Sequence, residues 1–145
     1  MATLWTIGYA RLSPATLVAE LEAAGVRRVL DVRLRPQSRR PGMSKTRLAG
    51  RLADHGIAYE HRYELGTPLE VRGLYRSGRV AEAAAAYRRH VEASASDELD
   101  VLAAELGRTP RTALLCLEES PAACHRRVIA EALRARRPEL AVEDL

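Results

Sequence analysis

Two segments far apart in the chain hold most of its chemically capable side chains: Asp31-Val32-Arg33-Leu34-Arg35-Pro36-Gln37-Ser38-Arg39 and Glu118-Glu119-Ser120-Pro121-Ala122-Ala123-Cys124-His125-Arg126. In the first, Arg33, Arg35 and Arg39 offer planar guanidinium forks suited to bidentate binding of phosphate, sulfate or carboxylate, and Ser38 adds a hydroxyl. Pro36 stiffens the turn that aims them. Asp31 reads either as a general base or as a strand-end carboxylate that holds Arg33. In the second, Glu118 reads as a general acid or base, as the carboxylate that fixes His125 in one tautomer, or as an ion-pair partner of Arg126. Cys124 is a candidate nucleophile if a helix N-terminus and Arg126 favour its thiolate, and a core residue if it extends the apolar stripe of Val128, Ile129 and Leu133. Tyr9, at the end of a first strand, lines the same edge or packs at its rim. The candidate catalytic residues are therefore Glu118, Cys124, His125 and Asp31, and the candidate anion-binding residues are Tyr9, Arg33, Arg35, Ser38, Arg39 and Arg126.

Other chemistries fit less well. Cys116, Cys124, His125 and Glu118 have the types of a metal-ligand set, but adjacent Cys and His on one helix point about 100° apart, so no metal is assigned. A phosphatase-type loop needs arginine six residues after a strand-end cysteine, and Ala122 stands there after Cys116. No strand is followed by a glycine-rich dinucleotide or nucleoside-triphosphate loop, so no cofactor is expected. His55 and His90 read as structural or solvated, whereas His61 falls at a strand end on the active edge.

The elements that position these residues alternate between strand and helix patterns. Strands are expected at Leu4 to Tyr9, Val29 to Val32, Ile57 to His61 and Thr112 to Leu117, with Leu140 to Val142 as a closing edge. Ser13-Pro14 caps a helix to about Ala24, and Ser44 caps one to His55. Glu64 to Gly78, with four glycines and prolines, reads as a long loop. Arg79 to Ala93 and Asp97 to Leu106 are helical, and Ser120-Pro121 opens a last helix to about Arg137. The expected architecture is a single α/β domain, residues 1–145, with a mostly parallel sheet flanked by helices, Rossmann-like in its three layers but without the dinucleotide fingerprint.

Composition bounds the reading. The length of 145 residues suffices for a core without disulfide or metal staples, and that core must be built from Leu, Val, Ile and Ala because phenylalanine is absent. No apolar run is long enough for a membrane span, and Met1 to Thr6 lack a secretory pattern, so a cytoplasmic protein with no membrane partner is expected. In that compartment Cys116 and Cys124 read as thiols rather than a disulfide. The net charge is +4, but Arg27 to Arg51 holds nine basic residues against Asp31 alone, while the rest of the chain is net acidic. Such a cluster attracts phosphates or nucleic acid. Arginine so dominates the basic residues that codon bias and solvated helix faces explain part of it equally well.

Thr6-Ile7-Gly8-Tyr9, Asp31-Val32-Arg33 with Pro36-x-Ser38-Arg39, Gly56-Ile57-x-Tyr59, Glu64-Leu65-Gly66, and Cys116-x-Glu118 with Pro121-x-x-Cys124-His125-Arg126 occur in this order over nearly the whole chain. As a set they resemble the domain-of-unknown-function 488 family. The resemblance implies a compact bacterial or archaeal α/β domain and assigns no activity. Met43 stands where that family often carries phenylalanine after Pro-Gly.

Two functions remain in view: an enzyme acting on a phosphate-bearing small molecule, nucleotide or nucleic acid, and a binding module for nucleic acid or an anionic ligand without turnover. The first is favoured because acid, thiol and imidazole groups gather beside guanidinium groups. Few aromatics are available for base stacking, and no helix-turn-helix or zinc-finger spacing occurs.

Overall fold

Strands buried on both faces need near-continuous apolar runs rather than alternation, and Leu4 to Ile7, interrupted by the buried Thr6, with Val29-Leu30 and Ala113 to Leu115 supply them. The computed structural model describes residues 2–145. Its strands are β1 (Thr3–Gly8), β2 (Arg28–Asp31), β3 (Ala58–His61), β4 (Thr112–Cys116) and β5 (Ala141–Asp144). They form one sheet of order β3-β2-β4-β1-β5, and every neighbouring pair is parallel. The expected closing strand is present as β5, which pairs along β1 from Thr3 to Thr6. Among the described residues no helix is long and apolar enough to cross a membrane.

The helices cover both faces. On one, Leu17, Val18 and Leu21 of α1 (Pro14–Ala23) and Leu48 and Leu52 of α2 (Lys45–Asp54) pack on Trp5, Ile7, Val29 and Leu115. On the other, α3 (Leu69–Arg76), α4 (Val80–Ser94), α5 (Ser96–Glu105) and α6 (Arg126–Arg136) bury Val71, Tyr87, Leu102 and Ile129 against Leu4, Leu30 and Leu114. Ser13 caps α1 by accepting the main-chain N–H of Thr16, with Pro14 following it.

Three expectations are corrected. Glu64 to Gly78 is not a loop: it holds a 3-10 turn (Tyr63–Leu65) and α3. Gly73 sits on the exposed side of that helix, so its entropic cost is outweighed by Val71 and Tyr75 packing inward. The last helix starts later than Ser120-Pro121 implies. A 3-10 turn at Pro121–Ala123 is followed by Cys124 in extended backbone (φ −138°, ψ 146°) and by His125 as the N-cap of α6. The argument that Cys124 and His125 diverge on a helix therefore fails. Cys116 and Cys124, read as separate thiols, have their sulfur atoms in bonding contact.

From β2 the chain turns to β3 at one edge, and from β4 it crosses through α6 to β5 at the other. Adjacent strands β2 and β4 thus part company at their carboxyl ends, the place where open parallel sheets form a crevice.

Candidate functional site

The crevice between β2 and β4 brings the two chemically rich segments together. On the β2 side Asp31 is fully buried. Its carboxylate accepts hydrogen bonds from Arg33 Nη2 at 2.7 Å, Arg33 Nε at 2.9 Å and the Arg33 main-chain N–H at 3.1 Å, and the Tyr59 hydroxyl donates to Oδ2. Arg33 Nη1 donates to the Met43 carbonyl at 2.8 Å and to the Tyr9 hydroxyl at 3.1 Å. Burial lowers the Arg33 pKa, but the Asp31 carboxylate and the Tyr9 hydroxyl together raise it by more, so the guanidinium stays charged. Burial and the bond to Asp31 push the Tyr59 hydroxyl up. Asp31 is not among the residues that line the pocket, and its partners are those of a strand-end carboxylate that holds Arg33. His61 likewise serves the frame, with Nε2 2.7 Å from the Arg33 carbonyl.

Two glycines let the frame close. A Cβ at Gly66 would lie 2.5 Å from Leu34 Cα, so only glycine lets the Glu64-Leu65-Gly66 turn rest on the β2 loop. A Cβ at Gly8 would collide with the Glu118 carbonyl oxygen, the group that sets where Glu118 leaves β4.

On the β4 side Arg126 is fully buried, lies outside the pocket wall and meets no carboxylate. It donates to the carbonyls of Glu118 at 2.5 Å and Glu119 at 2.9 Å and to Cys116 Sγ at 3.2 Å, and its Nε has no partner. Burial lowers its pKa. Both expected partnerships of Glu118 are replaced: Arg126 takes its main-chain carbonyl, and His125 donates Nε2–H to the Val32 carbonyl at 2.7 Å. That bond leaves Nδ1 with a lone pair, 3.6 Å from Cys124 Sγ. Burial pushes the His125 pKa down to about 4, so the ring is neutral at pH 7. Glu118 Oε2 lies 3.6 Å from Cys116 Sγ.

Above these groups opens a pocket of about 560 Å³. Tyr9, Arg33, Arg35, Ser38, Arg39, Glu118, Cys124 and His125 line it, as does Cys116. Arg40 pins the loop by donating to the carbonyls of Ala10 and Leu12. Ser38 shapes the turn, its Oγ accepting the Arg40 N–H at 3.1 Å.

The far wall is α3, which contributes Arg72, Tyr75 and Arg76. Reading this stretch as a loop hid them, although arginines four apart on one helix face are a visible signal. The arginines of the protein's ion pairs are Arg11, Arg28, Arg33, Arg62, Arg79, Arg88, Arg127, Arg136 and Arg137. Among the described residues Arg35, Arg39, Arg72 and Arg76, like several exposed arginines away from the pocket, take part in none. The Tyr75 hydroxyl is shut off from solvent without a partner, and burial raises its pKa to about 12, so it is a neutral donor. One lining thus carries four guanidinium groups outside the ion pairs, Arg35, Arg39, Arg72 and Arg76, and one carboxylate, Glu118.

The family model described as domain of unknown function DUF488 matches residues 13–133. No curated protein and no solved structure matches the chain.

Proposed function

The chain belongs to the DUF488 family, a membership that brings a motif set but no reaction, and from the chemistry of the pocket we propose that it is an enzyme acting on a phosphate-bearing ligand. The observation that carries this reading is the convergence of Arg35, Arg39, Arg72 and Arg76, none in an ion pair, on one pocket whose lining holds a single acid, Glu118. Guanidinium groups held without counter-ions cost free energy through mutual repulsion, which a bound polyanion relieves. Tyr75 adds its ring to the same wall. The pocket volume of about 560 Å³ suits a nucleotide-sized molecule or the end of a nucleic-acid strand.

In this reading Arg35, Arg39, Arg72 and Arg76 clamp the anion, and Glu118 moves the proton as general acid or base. Cys124 and His125 face the reacting end. Asp31, Arg33, Tyr9, Ser38 and Arg126 hold the frame. A binding module without turnover is the second reading, favoured by how many candidate groups, Asp31 and Arg126 foremost, are absorbed into that frame.

Thermal shifts of wild type, Arg39→Ala and Arg72→Ala against phosphate, sulfate, nucleotides and short DNA test the anion site. A ligand that binds the native state raises the melting temperature by mass action. Stabilisation of wild type that shrinks in both variants is expected, and equal behaviour of all three proteins would remove the site. Glu118→Gln then separates the readings: it keeps ligand binding and loses turnover in an enzyme, whereas a stabilising ligand left unchanged by wild type leaves the binding module.

A further inference from the structure

We propose that Cys116, Cys124 and His125 form a site for a thiophilic divalent cation of the zinc class, with its remaining coordination position facing the arginine-lined pocket. The inference goes beyond the anion reading and uses none of its arginines. Sγ of Cys116, Sγ of Cys124 and a ring nitrogen of His125 lie within 4.8 Å of one another, Nδ1 stands 3.6 Å from Cys124 Sγ, and all three residues are buried. Neighbours in sequence can share an ion here because Cys124 is extended and only His125 begins the turn of α6.

The surroundings have the marks of a ligand set. The Nε2–H of His125 is committed to the Val32 carbonyl at 2.7 Å, the outer contact that fixes a metal-binding imidazole with its other nitrogen inward. Arg126 donates to Cys116 Sγ at 3.2 Å, a bond that a thiolate accepts better than a thiol. Among the described residues no carboxylate touches Arg126, so two thiolates and the half-buried Glu118 against one dication and Arg126 would bring the local charge to balance. The Cα atoms of the two cysteines are 7.6 Å apart, beyond the span of about 4.4–6.8 Å usual for cystine. Two sulfurs on one zinc, each bonded at about 2.3 Å, stand roughly 3.8 Å apart. In the proposed site the two sulfurs, in contact in this structure, stand apart as thiolates on the ion. Glu118 Oε2 lies 3.6 Å from Cys116 Sγ. A cation there would act as a Lewis acid at the floor of the anion pocket.

The test uses the full chain purified under reducing conditions without chelator. Zinc content is measured by elemental mass spectrometry, and Co2+ is added to metal-free protein while thiolate-to-metal and d–d absorption bands are followed. The expected results are about one ion per chain and the bands of tetrahedral Co2+ with sulfur ligands. In Cys124→Ser and His125→Ala variants shown by circular dichroism to be folded, affinity for Co2+ is expected to fall by ~10-fold or more. Arg39→Ala is expected to keep the metal, which separates this site from the anion site. Folded wild type that takes up neither ion overturns the proposal. So does an intact mass showing the two cysteines joined as a disulfide that persists under reducing conditions. The wild-type measurements decide even if a ligand variant fails to fold.

Discussion

At the scale of single residues, charge is divided between frame and pocket according to whether it has a partner. Arg33 spends its guanidinium on Asp31, Tyr9 and Met43, while Arg35 and Arg39, two and six residues on, spend theirs on nothing. Asp31→Asn leaves a buried Arg33 cation without its counter-charge, and breaking such a pair costs about 3–5 kcal/mol. Urea unfolding should show a loss of that order, with Tyr59→Phe costing nearer 1 kcal/mol for one hydrogen bond. An Asp31→Asn protein of wild-type stability would instead restore Asp31 as a free base. The pairing of Asp31 with Arg33 was legible in the sequence because the two are close in the chain and alternate on an extended backbone. The burial of Arg126 was not, since the carbonyls of Glu118 and Glu119 that hold it become its neighbours only after the 3-10 turn at Pro121–Ala123 folds the segment back.

At the scale of elements, α3 separates what the sequence showed from what it hid. Gly66, Pro68, Gly73 and Gly78 look like breakers when taken together, yet they act in different ways. Gly66 admits the close approach to Leu34 and Gly78 takes a positive φ beyond the helix end, whereas Gly73 is interior to α3 and open to solvent. Their roles differ in tertiary contacts, which composition does not encode. Gly73→Ala meets nothing within 4 Å and should stabilise the protein by about 0.5–1 kcal/mol through helix propensity. Gly66→Ala places Cβ against the Leu34 backbone, so an overpacking cost of about 1–3 kcal/mol is expected together with weaker anion binding as the β2 loop shifts. Chemical denaturation of the two variants side by side reads both signs. A neutral Gly66→Ala would mean that the loop is not held by that contact.

At the scale of the whole molecule, strand order and charge placement meet at one edge. The alternation of apolar runs with capped helices made the parallel sheet legible, and the run of arginines after β2 marked one side of the crevice. The far wall depended on a helix arriving from a distant part of the chain. Elsewhere some of the arginines are paired: Arg136 ties α4, α5 and α6 together through Glu92 and Asp100, and Arg62 joins Glu60 to Glu98. The modest net charge of +4 says little about the pocket, whose lining gathers several arginines around one acid, Glu118. For a phosphate-bearing ligand, affinity should fall with salt, and the slope of log affinity against log salt should lessen when pocket arginines are removed. Arg72→Ala with Arg76→Ala should lower affinity and flatten that slope. Arg136→Ala, which removes one charge from the same chain, should leave both unchanged while costing about 1 kcal/mol of stability from exposed ion pairs. Titrations at several salt concentrations distinguish the outcomes, because equal flattening by Arg136→Ala would mean that the ligand responds to net charge rather than to the pocket.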